Sequence, residues 1–551
     1  MKDHIHSNIS SHSGSNKYDV VIIGAGIGGL TAAAVLAKSH LKVCIVEMAP
    51  HPGGYLCGFE RNGFHFETSI HWLNQCGPDG FVRRIFNMIA PGSPHTPENT
   101  RVRRFVSDSY DYLLTNDPDQ MRDEMISQHK SEEKAIRKFF DASKSTASAF
   151  TRMINFGRTG KTMSALNRLV RFSRASYAAM PLIRYLPYSA QAGTRKLFRS
   201  SGLKNLYCTE KRMLSCLVPV GWAYNNDYQL PPKGGGRAFT EWLYHILRIW
   251  EAPVFLNSRV QKILMKNGQA SGVKYNKNGK DFDIQAKYVI ASCDINSLYT
   301  EMLPKGSVSD KIIRKQQNAE LYNSCVTVSI GLDCEPAELG LKEEQVLIRR
   351  DDISPEEQQG GAPDKTEISV LATSSRDPSA APEGKGVITI YTSCDIQYGD
   401  YWKTERDSNG NFVRGDAYRS FKKEYADILI RRVEEKLVPG LQNHIEVLDI
   451  ATPLTYLRYT GNRDGAIMGF QPNFKNIRGG VAKITTPIKN LYIGGQWAEL
   501  GGGVPNAVKA GVNSALMVIK NEKPEAFSIL ADVVDGKISP EETYSSLFRT
   551  L

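Results

Sequence analysis

The feature that most constrains this chain is an uncharged stretch of eighteen residues, Val20 to Ala37, with Gly24, Gly26, Gly28 and Gly29 at its centre. Its length is close to what a membrane span needs. Four glycines in the middle would weaken a spanning helix, and a strand, a tight turn and a helix account for the same residues better. Tyr18–Ile23 is a β-branched run suited to a buried parallel strand, and Leu30–Ala37 is rich in strong helix formers. Leu41–Val46 reads as the next strand and runs into Glu47, eighteen residues after Gly29. Strand, glycine turn, helix, strand and acid together make a dinucleotide-binding fingerprint. Gly24 permits the turn, Gly26 lets backbone approach a pyrophosphate, and the third glycine of the motif, Gly29, lets helix pack on strand. The helix start presents N–H groups to phosphate, and Glu47 is placed for a ribose.

Other glycine clusters lie far along the chain. Gly53-Gly54 follows the acid closely, where backbone can pass beside a bulky, extended cofactor. Asn490–Gln496 reads as a short strand running into Gly494-Gly495, and Gly501–Gly511 as a loop entering a helix. Between them, Pro231–Gly236 opens a helix through about Ile249. Strands at Val254–Leu256, Val260–Leu264, Ala270–Tyr275 and Tyr288–Ser292 follow, with a turn at Asn267-Gly268.

Taken in order, these segments resemble the flavoprotein superfamily of phytoene desaturases, carotenoid cis–trans isomerases and retinol saturases, relatives of the amine oxidases. The resemblance rests on GAGIGGL at 24–30, Gly53-Gly54 through FETSIHW at 66–72, and PPKGGGRAF at 231–239. It rests also on RVQKILMKNGQASGV at 259–273, TPLTYLRYTGNRDGAIMGF at 452–470 and NLYIGGQWAELGGGVP at 490–505. It implies an α/β chain with a Rossmann-type, GR2-like FAD-binding domain and an interleaved α+β substrate-binding domain. FAD would be held by Gly24, Gly26, Gly28, Gly29, Glu47, Gly53, Gly54, Val260, Gly495, Gln496, Gly503 and Val504, with Val260 meeting the adenine through its backbone. Many desaturases carry Asp where Gln496 and Glu67 stand. Gln496 and the stretch Ser69-Ile70-His71-Trp72 look more like the retinol-saturase branch.

The implied domains are discontinuous: residues 17–100, 226–304 and 479–522 for the cofactor, and 101–225 and 305–478 for the substrate. Residues 1–16 read as a disordered polar tail without a secretory h-region, and 523–551 as a C-terminal tail or helix. The net charge of +11 is carried by one insertion. Between Asp141 and Glu210 there are twelve basic residues and no acidic one, so the remainder is close to neutral. Met163, Leu166, Val170 and Tyr177 share one helical face over 161–177, with Lys161, Arg168 and Arg171 on another, before Pro181 and Pro187 interrupt. Two readings stand open for 142–209, a solvated face on a core-packed helix or a peripheral contact with anionic lipid. No recognition motif accompanies the charge, which argues against nucleic acid. The expected location is cytoplasmic, including the inner face of a membrane.

Nine cysteines form no CxxC pair, eleven histidines form no metal-ligand spacing, and no second GxGxxG is present. No metal is expected, and electrons would be exchanged with the substrate and an external donor or acceptor. The resemblance implies FAD-dependent desaturation, saturation or cis–trans isomerisation of carbon–carbon double bonds in a carotenoid or retinoid. His71, Glu67 and Tyr459 are the candidates for proton transfer, beside a supporting hydrogen-bonding role for each. An amine oxidase of the same fold and a non-catalytic prenyl-lipid escort, like the Rab GDP-dissociation inhibitors, are the alternatives.

Overall fold

The computed structural model describes residues 17–68, 71–154, 157–207, 211–544 and 547–550. The expected tail at 1–16 lies outside them. The fingerprint folds as strand Lys17–Ile23, helix Ile27–Lys38 and strand Val43–Val46. Every residue of that helix is buried. Its side chains are small, so it lies close against the sheet on one side and the long C-terminal helix Gly503–Glu522 on the other.

A parallel sheet gathers the chain from three distant places, in the order Val254–Phe255, Val43–Val46, Lys17–Ile23, Lys280–Ala291, with Leu491–Ile493 beyond. The first half of Lys280–Ala291 pairs instead with an antiparallel ribbon, Gln269–Lys277 and Ser258–Lys266. The strands Val20–Ile23 and Val43–Val46 are buried on both faces, as a doubly covered parallel sheet requires.

A second, mostly antiparallel sheet runs Ile445–Ala451, Ser324–Leu332, Gly386–Cys394, Ile368–Ala372, Gln345–Ile348, Arg101–Val106, Asp111–Thr115. One face is aliphatic, with Val326, Val328, Ile330, Val370, Ile388 and Ile390 packed on the helix Asp416–Lys436. The alternate residues face the other way, towards the helices Glu133–Ile154 and Met213–Tyr224.

The structure bears on two segments, the basic helix and the C-terminal stretch. The basic helix spans Ala165–Ile183, starting at the cap Ser164, whose hydroxyl accepts from Asn167 N, and it continues through Pro181. Pro181 has no N–H to donate to the carbonyl four residues back, and the helix ends two residues later at Ile183. The apolar positions of that helix are not packed in a core. Leu166, Val170 and Tyr177 are exposed, and the buried stripe is only Ala178 and Leu182. The C-terminal stretch, read as a tail or helix, forms a docked helix among its described residues. Helix Pro524–Val534 buries Leu530, Val533 and Val534 in the core of the parallel sheet, Arg549 N donates to Lys38 O at 2.9 Å, and Phe548 is buried there too. No helix among the described residues is long and apolar enough to cross a membrane.

A close backbone contact in this core is at Gly28, where a Cβ would sit 2.6 Å from Gly494 O and 2.9 Å from Ala507 O. Both are backbone atoms, so Gly28→Ala should lower stability by about 1–3 kcal/mol, seen as a lower thermal midpoint. Gly26→Ala, with nothing within 4 Å of its Cβ, should shift the midpoint far less.

Candidate functional site

One cavity of about 1770 Å³ joins the glycine motifs to the second sheet. Sites for single small ligands are typically several hundred Å³, so this volume suits a dinucleotide together with a second elongated molecule. Gly24, Gly26, Gly28, Glu47, Gly53, Gly54, Val260, Gly495, Gln496, Gly503 and Val504 all line it, and Gly29 packs behind them, its Cβ position 2.1 Å from Gly24 O.

The two N-terminal glycine motifs are held together directly. Gly26 and Gly53 form a parallel bridge, Gly53 N donates to Ala25 O at 2.9 Å, and Gly53 has φ +131°. Gly26 therefore faces open space that only a side chain at this position would fill, at the start of a helix whose N–H groups point there. Glu47 accepts from Ala25 N at 2.6 Å and Ala49 N at 2.8 Å. Burial raises its pKa, and these amides hold it in place. At Val260 the strand ladder slips between Val260 and Lys262, which frees backbone groups on the cavity side. The start of helix Gly503–Glu522 closes the far side of this cradle. The residues fit a dinucleotide of the flavin type.

The proton-transfer candidates are dispersed. His71 lines the cavity, its ring stacked on Tyr391 with centroids 4.1 Å apart and planes 4° from parallel. Its carbonyl accepts a hydrogen bond from Arg376, and its Nδ1 is buried without a partner among the described residues. Burial and the Arg376 guanidinium push its pKa down to about 3. A neutral imidazole is therefore what the cavity meets at physiological pH, able to share its ring N–H or accept a proton but not to arrive charged.

Glu67 does not line the cavity. It is buried at the start of helix Arg237–Ile249, where Oε1 accepts from Gly236 N at 2.9 Å and Oε2 has no partner among the described residues. Burial lifts its pKa to about 7. A carboxylate at a helix N-terminus is a structural fixture of the PPKGGG turn. Tyr459 lies at the cavity rim and is 60% exposed, so it is not secluded with a reacting bond.

Sequence reasoning missed the floor of the cavity. Arg103, Thr327, Gln345, Ser369 and Tyr391 project into it from five strands of the second sheet. Near the first glycine pair, Tyr55 also lines it, its hydroxyl donating to Ala466 O at 2.7 Å. The only local signal for the floor was period-2 alternation in strands whose pairing the sequence did not reveal. Outside the cavity, Asp333, Cys334 and His444 each place a ligand-type atom within 4.8 Å of the others, and His444 Nδ1 is 2.9 Å from Asp333 Oδ1. Linear spacing concealed this meeting of residues from different strand ends.

Residues 22–89 match the NAD(P)-binding Rossmann-like domain family. The chain is 27% identical over 562 residues to the zebrafish (Danio rerio) all-trans-retinol 13,14-reductase, covering 94% of this chain and 89% of the relative. It is 25% identical to a chloroplastic prolycopene isomerase of an Oncidium hybrid cultivar, covering 91% and 84%. The chain is a homologue of these reductases and isomerases. A putrescine oxidase variant of solved structure shares the fold, with a TM-score of 0.58 at 14% identity, covering 92% of this chain and 99% of that one. The homologues carry the names of a reductase and an isomerase, as the motif resemblance implied, and the solved structure shares the fold alone.

Glu67 yields a pH-dependent prediction. A carboxyl whose pKa rises from 4.5 to about 7 on folding binds its proton more tightly when folded, so its contribution to stability falls as pH rises through that window. Glu67→Gln keeps the acceptor for Gly236 N and removes the charge. It should match the native protein at about pH 5 and exceed it at about pH 8.5 by roughly 3 kcal/mol at most, measured as thermal midpoints at the two pH values.

Proposed function

We propose that the chain binds FAD and is an oxidoreductase acting on carbon–carbon double bonds of a polyene isoprenoid lipid, as the names of its homologues state for retinol and prolycopene. The observation that carries this reading is the continuity of the glycine cradle with a large chamber between the second sheet and the helices Glu133–Ile154 and Met213–Tyr224. Gly26 and the N-terminus of helix Ile27–Lys38 would hold the pyrophosphate, Glu47 the ribose, and the Val260 backbone the adenine. Gln496 and the Gly501–Val504 turn would hold the ribityl chain and ring. Bound FAD supplies a two-electron carrier for an otherwise unreactive hydrocarbon.

The protein contributes shape, dryness and hydrogen-bond geometry. Trp72, Trp222, Phe105 and Leu347 line the chamber and exclude water from it. Neutral His71, stacked on Tyr391, offers a ring nitrogen at the wall without placing a charge beside the polyene. Electrons come from, or go to, an external partner.

The basic helix Ala165–Ile183 would bring the chamber to an anionic membrane. Leu166, Leu169, Val170, Phe172, Tyr177, Met180 and Ile183 are all exposed on this one helix, beside exposed Arg168 and Arg174. Apolar side chains massed among basic ones are characteristic of helices that lie in a lipid interface. Leu182 and Ala179 of the same helix line the cavity, which links the docking surface to the chamber.

Two measurements test these statements. The native protein should carry the absorption spectrum of bound flavin, and Gly26→Leu, which fills open space, should fold with the thermal midpoint of the flavin-stripped native protein yet fail to take up flavin. A flavin-free native protein would overturn the reading in favour of an escort role. In flotation on phosphatidylglycerol vesicles, Leu169→Ser with Phe172→Ser should reduce bound protein at least severalfold, and equal flotation would overturn the membrane contact.

A further inference from the structure

The second sheet shows an asymmetry that a chamber built for a bare hydrocarbon would not need. Its helix-facing side is aliphatic throughout, whereas the side towards the chamber presents Arg103, Thr327, Gln345, Ser369 and Tyr391. Four of these form a hydrogen-bonded ridge. Arg103 Nε donates to Gln345 Oε1 at 3.1 Å, and Gln345 Nε2 donates to the Tyr391 hydroxyl and lies 3.3 Å from Ser369 Oγ. Tyr391 in turn stacks on His71, so the ridge leads from His71 to a guanidinium.

Three arginines lie on the strand Arg101–Val106, and they are treated differently. Arg101 pairs with Glu344 at 2.7 Å, and Arg104 pairs with Asp111, bonded through Nε at 2.7 Å. Neither lines the chamber. Arg103 does, and among the described residues it forms no ion pair and bonds only through Nε, leaving both Nη groups unclaimed. Elsewhere on this wall Arg349 is already matched by Glu367, while Lys211 and Arg212 add positive charge without a described acidic partner. A guanidinium facing an apolar chamber is costly unless acceptors meet it, and its two Nη groups match the two oxygens of a carboxylate.

We infer that Arg103 is a specificity-determining residue that binds a carboxylate at the end of the polyene, so that the preferred ligands are polyene acids, not hydrocarbons. This rests on the polyene reading above and narrows it. Gln345 positions the guanidinium by holding Nε, and the remaining N–H groups clasp the carboxylate while the conjugated chain runs past Tyr391 and His71 towards the glycine cradle.

The test is equilibrium binding to the flavin-loaded protein of three probes with one chain and different ends: retinoic acid, retinol and methyl retinoate. Binding is read from quenching of tryptophan fluorescence, for which Trp72 and Trp222 line the chamber. The acid should bind at least about tenfold more tightly than the ester, a margin expected of a charge-assisted pair in a dry site. Arg103→Gln should abolish that margin while flavin content and ester affinity are retained, and Arg103→Lys should keep part of it. Equal affinity for acid and ester in the native protein, or a preference that survives Arg103→Gln, would overturn the inference and leave the polyene reading standing. Failure of all three probes to bind would overturn both.

Discussion

The structure depends on a contact with no room for a side chain, the approach of Gly28 to the carbonyl of Gly494. It joins segments more than 460 residues apart and sets helix Ile27–Lys38 against helix Gly503–Glu522. Gly511 is tied in the same way, its Cβ position 2.3 Å from Gly28 O. Because backbone meets backbone there, the two helix N-termini are brought to one side of the parallel sheet, at the carboxyl ends of its strands. That is where open α/β sheets bind ligands. The bridge from Gly26 to Gly53 adds the third wall. A dinucleotide cradle then follows from packing, with the cavity beginning where side chains are absent.

The second sheet solves a different problem. It must bury one face in its own core while leaving the other to form the floor of a chamber, and strand alternation separates the two tasks residue by residue. Val326, Val328, Ile388 and Ile390 pack in the core, while Thr327, Tyr391, Arg103 and Gln345 line the chamber. Burial of the aliphatic face against helix Asp416–Lys436 also offsets the desolvation of polar groups on the opposite face. Those groups are mostly satisfied by one another, and Arg103 is the conspicuous remainder.

Much of the cofactor side was legible because its information is local. Gly24 to Glu47 carries turn, helix, strand and acid within a short window, and the ribbon around Asn267-Gly268 announces itself by turn chemistry. The substrate side was hardly legible. Arg103, Gln345 and Tyr391 come from strands whose order in the sheet, with Gln345–Ile348 parallel to Arg101–Val106, cannot be inferred from spacing. Glu67 is a candidate in sequence because it lies in a motif expected to face the flavin, yet it turns to the PPKGGG turn while His71, four residues on, lines the chamber. The basic helix stands between two readings in sequence because periodicity reports a face and not what covers it, and here only Ala178 and Leu182 are buried. The C-terminal stretch reads in sequence only as a tail or helix, because the docking of Arg549 on Lys38 and Trp250 joins residues about 300 or more positions apart.

The central claim is that the glycine cradle and the chamber form one site, in which bound flavin exchanges electrons with a polyene. The most direct measurement is anaerobic mixing of the purified holoprotein, in oxidised and in reduced form, with a retinoid and carotenoid panel in liposomes. Flavin and polyene absorbance are followed together. The account predicts that at least one polyene changes its absorbance in step with a flavin redox change, or isomerises only when the flavin is reduced. Polyene spectra that stay unchanged with flavin in either state, while amines reduce the flavin, would contradict it.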